Sequence, residues 1–403
     1  MNYYEDHPQA PAAVATATVA SSGDDESVVT YVSSSSVVVL PMETKSVDSS
    51  TASPVGRPQE KEATPSLTNK QQRIALRAAH KAKQVARDMD QHSQLVSLEK
   101  EQALPRLSSD EIRVGQLLGE GAFNLVYSVQ EVQLLHPRND VDASYKLEIL
   151  ASQPTKYAIK CLNQSLLSES SRNYVTGAAD LVVEAKLLAS LPPHPHVIQL
   201  HAIVNSLDGG SFFLVLDLLK SNLQEKMEKW ASQRAIHVTL RLRVAAQIAA
   251  ALLHLHQHRI IYRDVKPTNI GFDEKGCVRL FDMGLAKELT DNLRIQNDYY
   301  KLTAMTGSKR YMAPEVALGQ PYNLRADVYS FTVLLWEMLA LRRIFNMSSQ
   351  EHMQHVIVGG YRPPISNSFS PMVCQLIGTG WSPSPQERPS MQEVQRMLKG
   401  RAA

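Results

Sequence analysis

At 403 residues the chain exceeds one average domain, and length alone allows two or three units of roughly 100–200 residues each. A formal net charge of +2 argues against a nucleic-acid-directed protein, since such domains carry a concentrated basic excess. Cys161, Cys277 and Cys374 are odd in number and far apart, which excludes a disulfide framework or paired zinc spacing and fits a reducing compartment.

The start, Met1-Asn2-Tyr3-Tyr4-Glu5-Asp6, lacks a basic segment followed by an apolar core. No apolar stretch approaches the roughly 20 residues that span a bilayer, so the expectation is a soluble intracellular protein of the cytoplasm, the nucleus or both. Residues 1–70 are rich in Ser, Thr, Ala and Pro with no sustained period, and are expected to form a disordered tail. Within it, Val37-Val38-Val39-Leu40 reads either as a docking motif or as an incidental patch. Residues 71–105 form a basic linker in which Arg73, Arg77 and Lys81 recur at i, i+4 spacing, predicting a helix. Its basic half suits acidic lipid, nucleic acid or a calmodulin-like partner; a solvated helix leading onward accounts for the same pattern.

From Ile112 the chain reads as globular. Ile112–Val126 gives a strand, a turn holding Gly119 and Gly121 within the run Leu118-Gly119-Glu120-Gly121, and a second strand; glycines there let backbone amides approach phosphates. A third glycine is replaced by Asn124, so alone this is a simple hairpin. A strand follows at Lys156–Lys160, after a polar insertion at 136–154 that is longer than the usual hairpin connections of about 2–5 residues. Ala179–Leu191 carries apolar residues at helical spacing and contains Glu184, and Phe212–Leu219 is an almost wholly apolar strand. His194 and His196 belong to a proline-flanked turn. His254, His256 and His258 point to different sides of a buried helix, without the Cys or acidic partner that would complete a metal set.

Two short runs carry the chemistry. Tyr262-Arg-Asp-Val-Lys-Pro-Thr-Asn269 and Asp282-Met-Gly284 supply two carboxylates, an amide and a lysine suited to phosphoryl transfer. Asp264 can accept a hydroxyl proton, while Asn269 and Asp282 offer hard oxygens to Mg²⁺ on a nucleotide triphosphate.

Together these segments resemble the eukaryotic protein kinase family over roughly residues 112–399; residues 1–105 have no counterpart in it. The resemblance implies an α+β, two-lobed domain at 106–400, with a β-rich N-lobe at about 106–217 and a mostly helical C-lobe at about 218–400. It implies ATP as co-substrate with Mg²⁺. Lys160 would contact the α- and β-phosphates and pair with Glu184; Asp264 would be the base, Lys266 would neutralise the migrating phosphoryl group, and Asn269 and Asp282 would hold the metal. Leu216 would be the gatekeeper, Asp217, Leu218 and Leu219 the adenine-binding hinge, and Val126 and Ala158 the roof over the base. Gly271 stands where the family carries a leucine or similar floor residue, which predicts looser base packing.

Thr306-Gly-Ser-Lys-Arg-Tyr-Met-Ala-Pro-Glu315 resembles the end of the family's activation segment and disfavours a small-molecule phosphotransferase. Ser308 and Lys266 point to Ser/Thr specificity. Arg263 and Lys287 would clamp a phosphorylated Thr303 or Thr306, with Tyr299 and Tyr300 as alternatives, through an activating kinase or autophosphorylation. Tyr262 and Met283 depart from the usual His and Phe, in an apolar spine with Leu188 and Leu200 anchored on Asp327. Asp327 would brace the catalytic loop and Arg388 would pair with Glu315. Trp381 with Arg388-Pro389-Ser390 resembles the tyrosine-kinase-like group. The expected function is a protein Ser/Thr kinase in intracellular signalling acting on Ser/Thr-bearing proteins; the alternative is a nucleotide-binding pseudokinase scaffold.

Overall fold

The computed structural model describes residues 68–138, 140–205, 212–232 and 237–399. The tail reading of 1–70 lies, up to residue 67 and including its valine patch, outside the described residues, while its last three residues are the cap and start of a helix. Helix α1 (Asn69–His92) opens with a capping box in which Thr68 and Gln71 bond each other's backbone amides at 3.3 and 2.9 Å. Ile74, Ala78, Ala82 and Ala86 recur every fourth residue along its one buried face. A short helix, α2 (Leu98–Gln102), follows.

The small lobe is built on a six-stranded sheet. Its strands are β1 (Arg106–Leu107), β2 (Ile112–Glu120), β3 (Asn124–Val132), β4 (Tyr157–Leu162), β5 (Leu200–Val204) and β6 (Phe213–Asp217), in the order β1-β5-β6-β4-β3-β2. Among the described residues of this sheet, only β1 and β5 pair in parallel. Alternation along β4 divides the core. Tyr157 and Ile159 face a cluster with Val129, Val215 and two buried leucines, Leu147 and Leu150. Those leucines lie on α3 (Val141–Ser152), so the insertion read as merely polar contains a helix that covers one sheet face. The other face packs Leu214 and Leu216 against Leu181 and Ala185 of α5 (Ser171–Ser190), which the turn α4 (Leu166–Glu169) precedes.

The large lobe begins with β7 (Ser221–Asn222), α6 (Leu223–Ser232) and α7 (Val238–Gln257). With a mean hydropathy of 1.4 over a membrane-length window, α7 corrects the expectation that no stretch reaches that length; Ala245, Ile248, Ala249, Leu252 and Leu255 bury its apolar face in the core. Short strands β8 (Ile260–Ile261), β9 (Ile270–Phe272), β10 (Val278–Leu280), β11 (Lys287–Glu288), β12 (Arg294–Gln296) and β13 (Tyr299–Tyr300) form two- and three-stranded pieces. They are followed by α8 (Pro314–Ala317), α9 (Arg325–Ala340), α10 (Ser349–Glu351), α11 (Pro371–Gly380) and α12 (Met391–Lys399). Every residue of α9 from Ala326 to Leu339 is buried, as an apolar helix at the centre of a lobe requires.

Candidate active site

Strand periodicity sends Lys160 of β4 to the sheet face that α5 covers, opposite Glu184. Its ammonium sits 2.5 Å from Glu184 Oε2 and 2.8 Å from Asp282 Oδ1. Burial opposes the charge on Lys160, but the Asp282 and Glu184 carboxylates outweigh it and raise its pKa. Asp282 is held below the ordinary carboxyl range, since Lys160 and then Lys266 outweigh the effect of burial. Burial, against the pull of Lys160, leaves Glu184 raised. Its second oxygen accepts the Met283 amide at 3.2 Å, linking α5 to the segment after Asp282.

Asp264 lies between β8 and β9, in a loop whose shape is imposed from below. Asp327 of α9 accepts the Tyr262 and Arg263 amides, each at 2.8 Å, and His256 bonds the same carboxylate at 2.9 Å. These bonds hold Arg263 at φ 70°, in the left-handed region that non-glycine residues avoid; Asp282 stands at φ 64°. The Tyr262 hydroxyl donates to the Phe281 carbonyl, a bond that phenylalanine could not make, and both Tyr262 and Met283 are fully buried. Asp264 is itself ringed by donors: Lys266 Nζ at 2.9 Å and Asn269 Nδ2 at 2.9 Å on Oδ2, with the Ser308 hydroxyl and amide at 2.7 and 2.9 Å on Oδ1.

Between the lobes lies a cavity of about 300 Å³. Leu118, Gly119, Glu120, Gly121, Asn124 and Val126 line it from the glycine turn; Ala158 and Lys160 line it from β4, and Leu216, Asp217 and Leu219 from the hinge. The Gly121 amide donates to the Asn124 carbonyl at 2.8 Å, closing the turn without a third glycine. At the turn's tip Phe123 packs on α5, where a Cβ on Gly177 would lie 2.5 Å from Phe123 Cβ.

Two sequence expectations change here. Gly271 does not line the cavity and leaves no gap, because Leu219 fills the space its side chain would take: a Cβ there would stand 2.3 Å from Leu219 Cδ1 and 3.3 Å from Phe281 Cδ1. The Leu218 amide is already committed to the Lys156 carbonyl at 2.9 Å, so it is not a free donor toward a base.

The segment after Asp282 separates its two threonines. Thr303 is exposed, and its hydroxyl accepts from Arg263 Nη1 at 3.0 Å. Thr306 is buried at 2% exposure, its hydroxyl donating to the Thr303 and Ala304 carbonyls. Tyr300 is buried in strand pairing with Tyr322, and Tyr299 is half-buried. Lys287 reaches toward Asp88 of α1, at 4.0 Å. Gly307, at φ 96°, brings this segment against the loop; a Cβ would fall 2.2 Å from the Arg263 carbonyl oxygen. Arg388 and Glu315 form a buried two-pronged ion pair at 2.6 and 2.8 Å.

Sequence reasoning missed Asp180, which lines the cavity one helical turn before Glu184; i, i+4 spacing on one helix face was the available signal. Burial, reinforced by Asp282 and opposed by Lys160 and Arg263, pushes its carboxyl up to about 8. The donor set suits a hard divalent cation: Asn269 donates its Nδ2 hydrogens to Asp264, so the group it has to offer a cation is its amide oxygen, and Asp282 adds a carboxylate in the same cavity.

A family model described as the protein kinase domain matches residues 145–398. Serine/threonine-protein kinase STY17 of Arabidopsis thaliana is 35% identical over 158 residues, covering 39% of this chain and 26% of the relative. Serine/threonine-protein kinase Nek4 of Mus musculus is 28% identical over 254 residues, covering 60% and 29%. Ribosomal protein S6 kinase alpha-3 of Homo sapiens is 32% identical over 225 residues, covering 56% and 26%. The match thus spans less than a third of the length of each of these relatives.

Proposed function

Because the chain belongs to the protein kinase domain family, we propose that it is a protein serine/threonine kinase, transferring the γ-phosphoryl group of ATP to serine or threonine hydroxyls of other proteins. One observation carries this reading: Lys160 bonds both Glu184 and Asp282, while Asp264 is ringed by Lys266, Asn269 and Ser308. In this proposal the adenine enters beside the hinge, and Lys160 meets the inner phosphates. Asn269 and Asp282 would hold Mg²⁺, which when bound would neutralise the triphosphate charge.

Asp264 orients the substrate hydroxyl and takes its proton as the new O–P bond forms and the β–γ bridging bond breaks to leave ADP. Lys266, beside Asp264, meets the charge on the migrating group. Little else is required, because this reaction is accelerated mainly by positioning and electrostatics. Ser308, touching the base, and Lys266 support Ser/Thr over Tyr specificity. Trp381 and Arg388-Pro389-Ser390 favour the tyrosine-kinase-like group among family branches.

Among the segment's hydroxyls, Thr303 is the proposed activating phosphosite, because it is exposed and already faces Arg263. An upstream kinase or autophosphorylation would supply the phosphate. The reading is tested by incubating the full chain with Mg·ATP and a mixed protein substrate, then analysing the phosphorylated amino acids. Phosphoserine and phosphothreonine are expected; phosphotyrosine alone would overturn the specificity. A Thr303→Ala chain with undiminished activity would overturn the phosphosite.

A further inference from the structure

Helices α1 and α2 precede the segment matched by the family model, yet they are fastened to the machinery at both lobes. Along α1, Ile74 and Ala78 share a cluster with Leu162, Leu166 and Tyr174, and Ala82 and Ala86 close on Val182 of α5. Alanine at these contacts lets two helix axes come close together. Phe123, from the tip of the glycine turn, packs against that first cluster.

The polar contacts are more specific. Lys186, in the penultimate turn of α5 and with a side chain only 5% exposed, bonds Asp90 at 2.8 Å and Glu101 at 2.6 Å. At the end of α5, Ser190 receives the Ser97 amide on its hydroxyl at 3.2 Å and Lys100 Nζ on its carbonyl at 3.1 Å, a cation at a helix C-terminus. The turn between the helices then reaches the large lobe. Ser93 Oγ and the amides of Gln94 and Leu95, at 2.8 and 3.2 Å, donate to buried Glu288 of β11. Gln94 also accepts from Arg259 at 3.0 Å. Glu288 is paired in register with Ile260, just before the loop that carries Asp264.

We propose that Asn69–Gln102 is a built-in strap that sets the working position of α5, with Lys186 as its anchoring residue. Residues two apart on a helix lie on nearly opposite faces, so Glu184 faces Lys160 while Lys186 faces the strap. A rotation or outward swing of α5 that breaks the Lys186 clasp also draws Glu184 away from Lys160 and Phe123 away from Gly177. Lys186 touches no reacting group; it is a positioning residue acting through Glu184. The catalytic consequence rests on the kinase reading, whereas the mechanical coupling does not.

The test uses the full chain with Ala82→Arg, which wedges α1 off α5, and separately with Asp90→Asn combined with Glu101→Gln, which keeps side-chain size. Amide hydrogen exchange across 171–190 and the Kd for Mg·ADP are read for each. The wedge is expected to raise exchange through α5 and weaken Mg·ADP by about tenfold, within the usual range of coupling between sites. The isosteric pair should shift both readouts the same way by a smaller factor, and this arm decides the matter if the wedge variant does not fold. Lys186→Arg is expected to retain binding that Lys186→Met loses. If exchange rises in 69–92 while α5 and Mg·ADP affinity match the wild type, the strap is refuted. A wild-type chain that binds Mg·ADP but transfers no phosphate would refute the kinase reading instead and leave this coupling standing.

Discussion

Substituting Gly271 by leucine separates two accounts of the adenine floor. Judged from sequence alone, the glycine leaves a hole, and leucine should tighten nucleotide binding by filling it. The structure predicts the reverse. A Cβ at this position would lie 2.3 Å from Leu219 Cδ1, closer than nonbonded carbons approach, and a tight 3.2 Å from its Cγ, before the rest of the leucine is added. Leu219 lines the cavity, so the least costly escape for its side chain is into the space a base would use. Overpacking of this kind costs about 1–3 kcal/mol. If that cost falls on the bound state, the Kd for Mg·ATP rises about 5- to 150-fold. Calorimetric titration of Mg·ATP into Gly271→Leu, paired with thermal unfolding, reads the effect. Leu219→Ala in the same chain should recover much of the affinity, a non-additivity expected of residues competing for one space. Equal or tighter binding by the single variant would refute the reasoning.

Three further outcomes are expected. Gly307→Ala places a methyl group 2.2 Å from the Arg263 carbonyl at φ 96° and should cost phosphoryl transfer and stability together; Gly276→Ala, also at positive φ (75°) but with nothing within 4 Å, is the control and should cost only backbone strain of about 1–3 kcal/mol. Arg388→Met leaves Glu315 buried without its partner and should lower unfolding stability by about 3–5 kcal/mol in urea titration; a loss under about 1 kcal/mol would show that the pair contributes little. Burial works against ionisation of Glu111, but Arg138 and the amides of Ser108, His136 and Leu135 hold its carboxyl down at about 2, against an ordinary 4.5. The folded state therefore binds fewer protons than the unfolded one between those values. The stabilisation is fully present above pH 4.5 and is lost as pH falls toward 2, so the deficit of Glu111→Gln at neutral pH should shrink over that window.

What could be read in advance depended on how local each signal is. Asp264, Asn269 and Asp282 sit in short runs whose residue types suggest the chemistry, while Lys160 was legible only through the resemblance of its strand to the family's, and the fold supplies the α5 side on which it lies. The two leucines of α3 were overlooked because length and polarity outweighed a brief apolar spacing within the insertion. Leu219 in the place left open by Gly271 is a contact 52 positions apart in the chain, carried by no periodicity in either segment. Thr303 and Thr306 look alike as letters; only the fold buries one hydroxyl on backbone carbonyls and turns the other toward Arg263. The strap was hidden by its charge: lysines and arginines dominate Asn69–His92, while the face that packs consists of Ile74 and three alanines.

The central claim is that Asp264 serves an active phosphotransferase. It is tested most directly by following radiolabelled phosphate from Mg·[γ-³²P]ATP into a Ser/Thr protein substrate, comparing the wild-type chain with Asp264→Asn after both are shown to bind Mg·ADP equally. Transfer by the wild type and its loss in the variant are the expected result. Equal labelling by the two chains, or none by either, would contradict it.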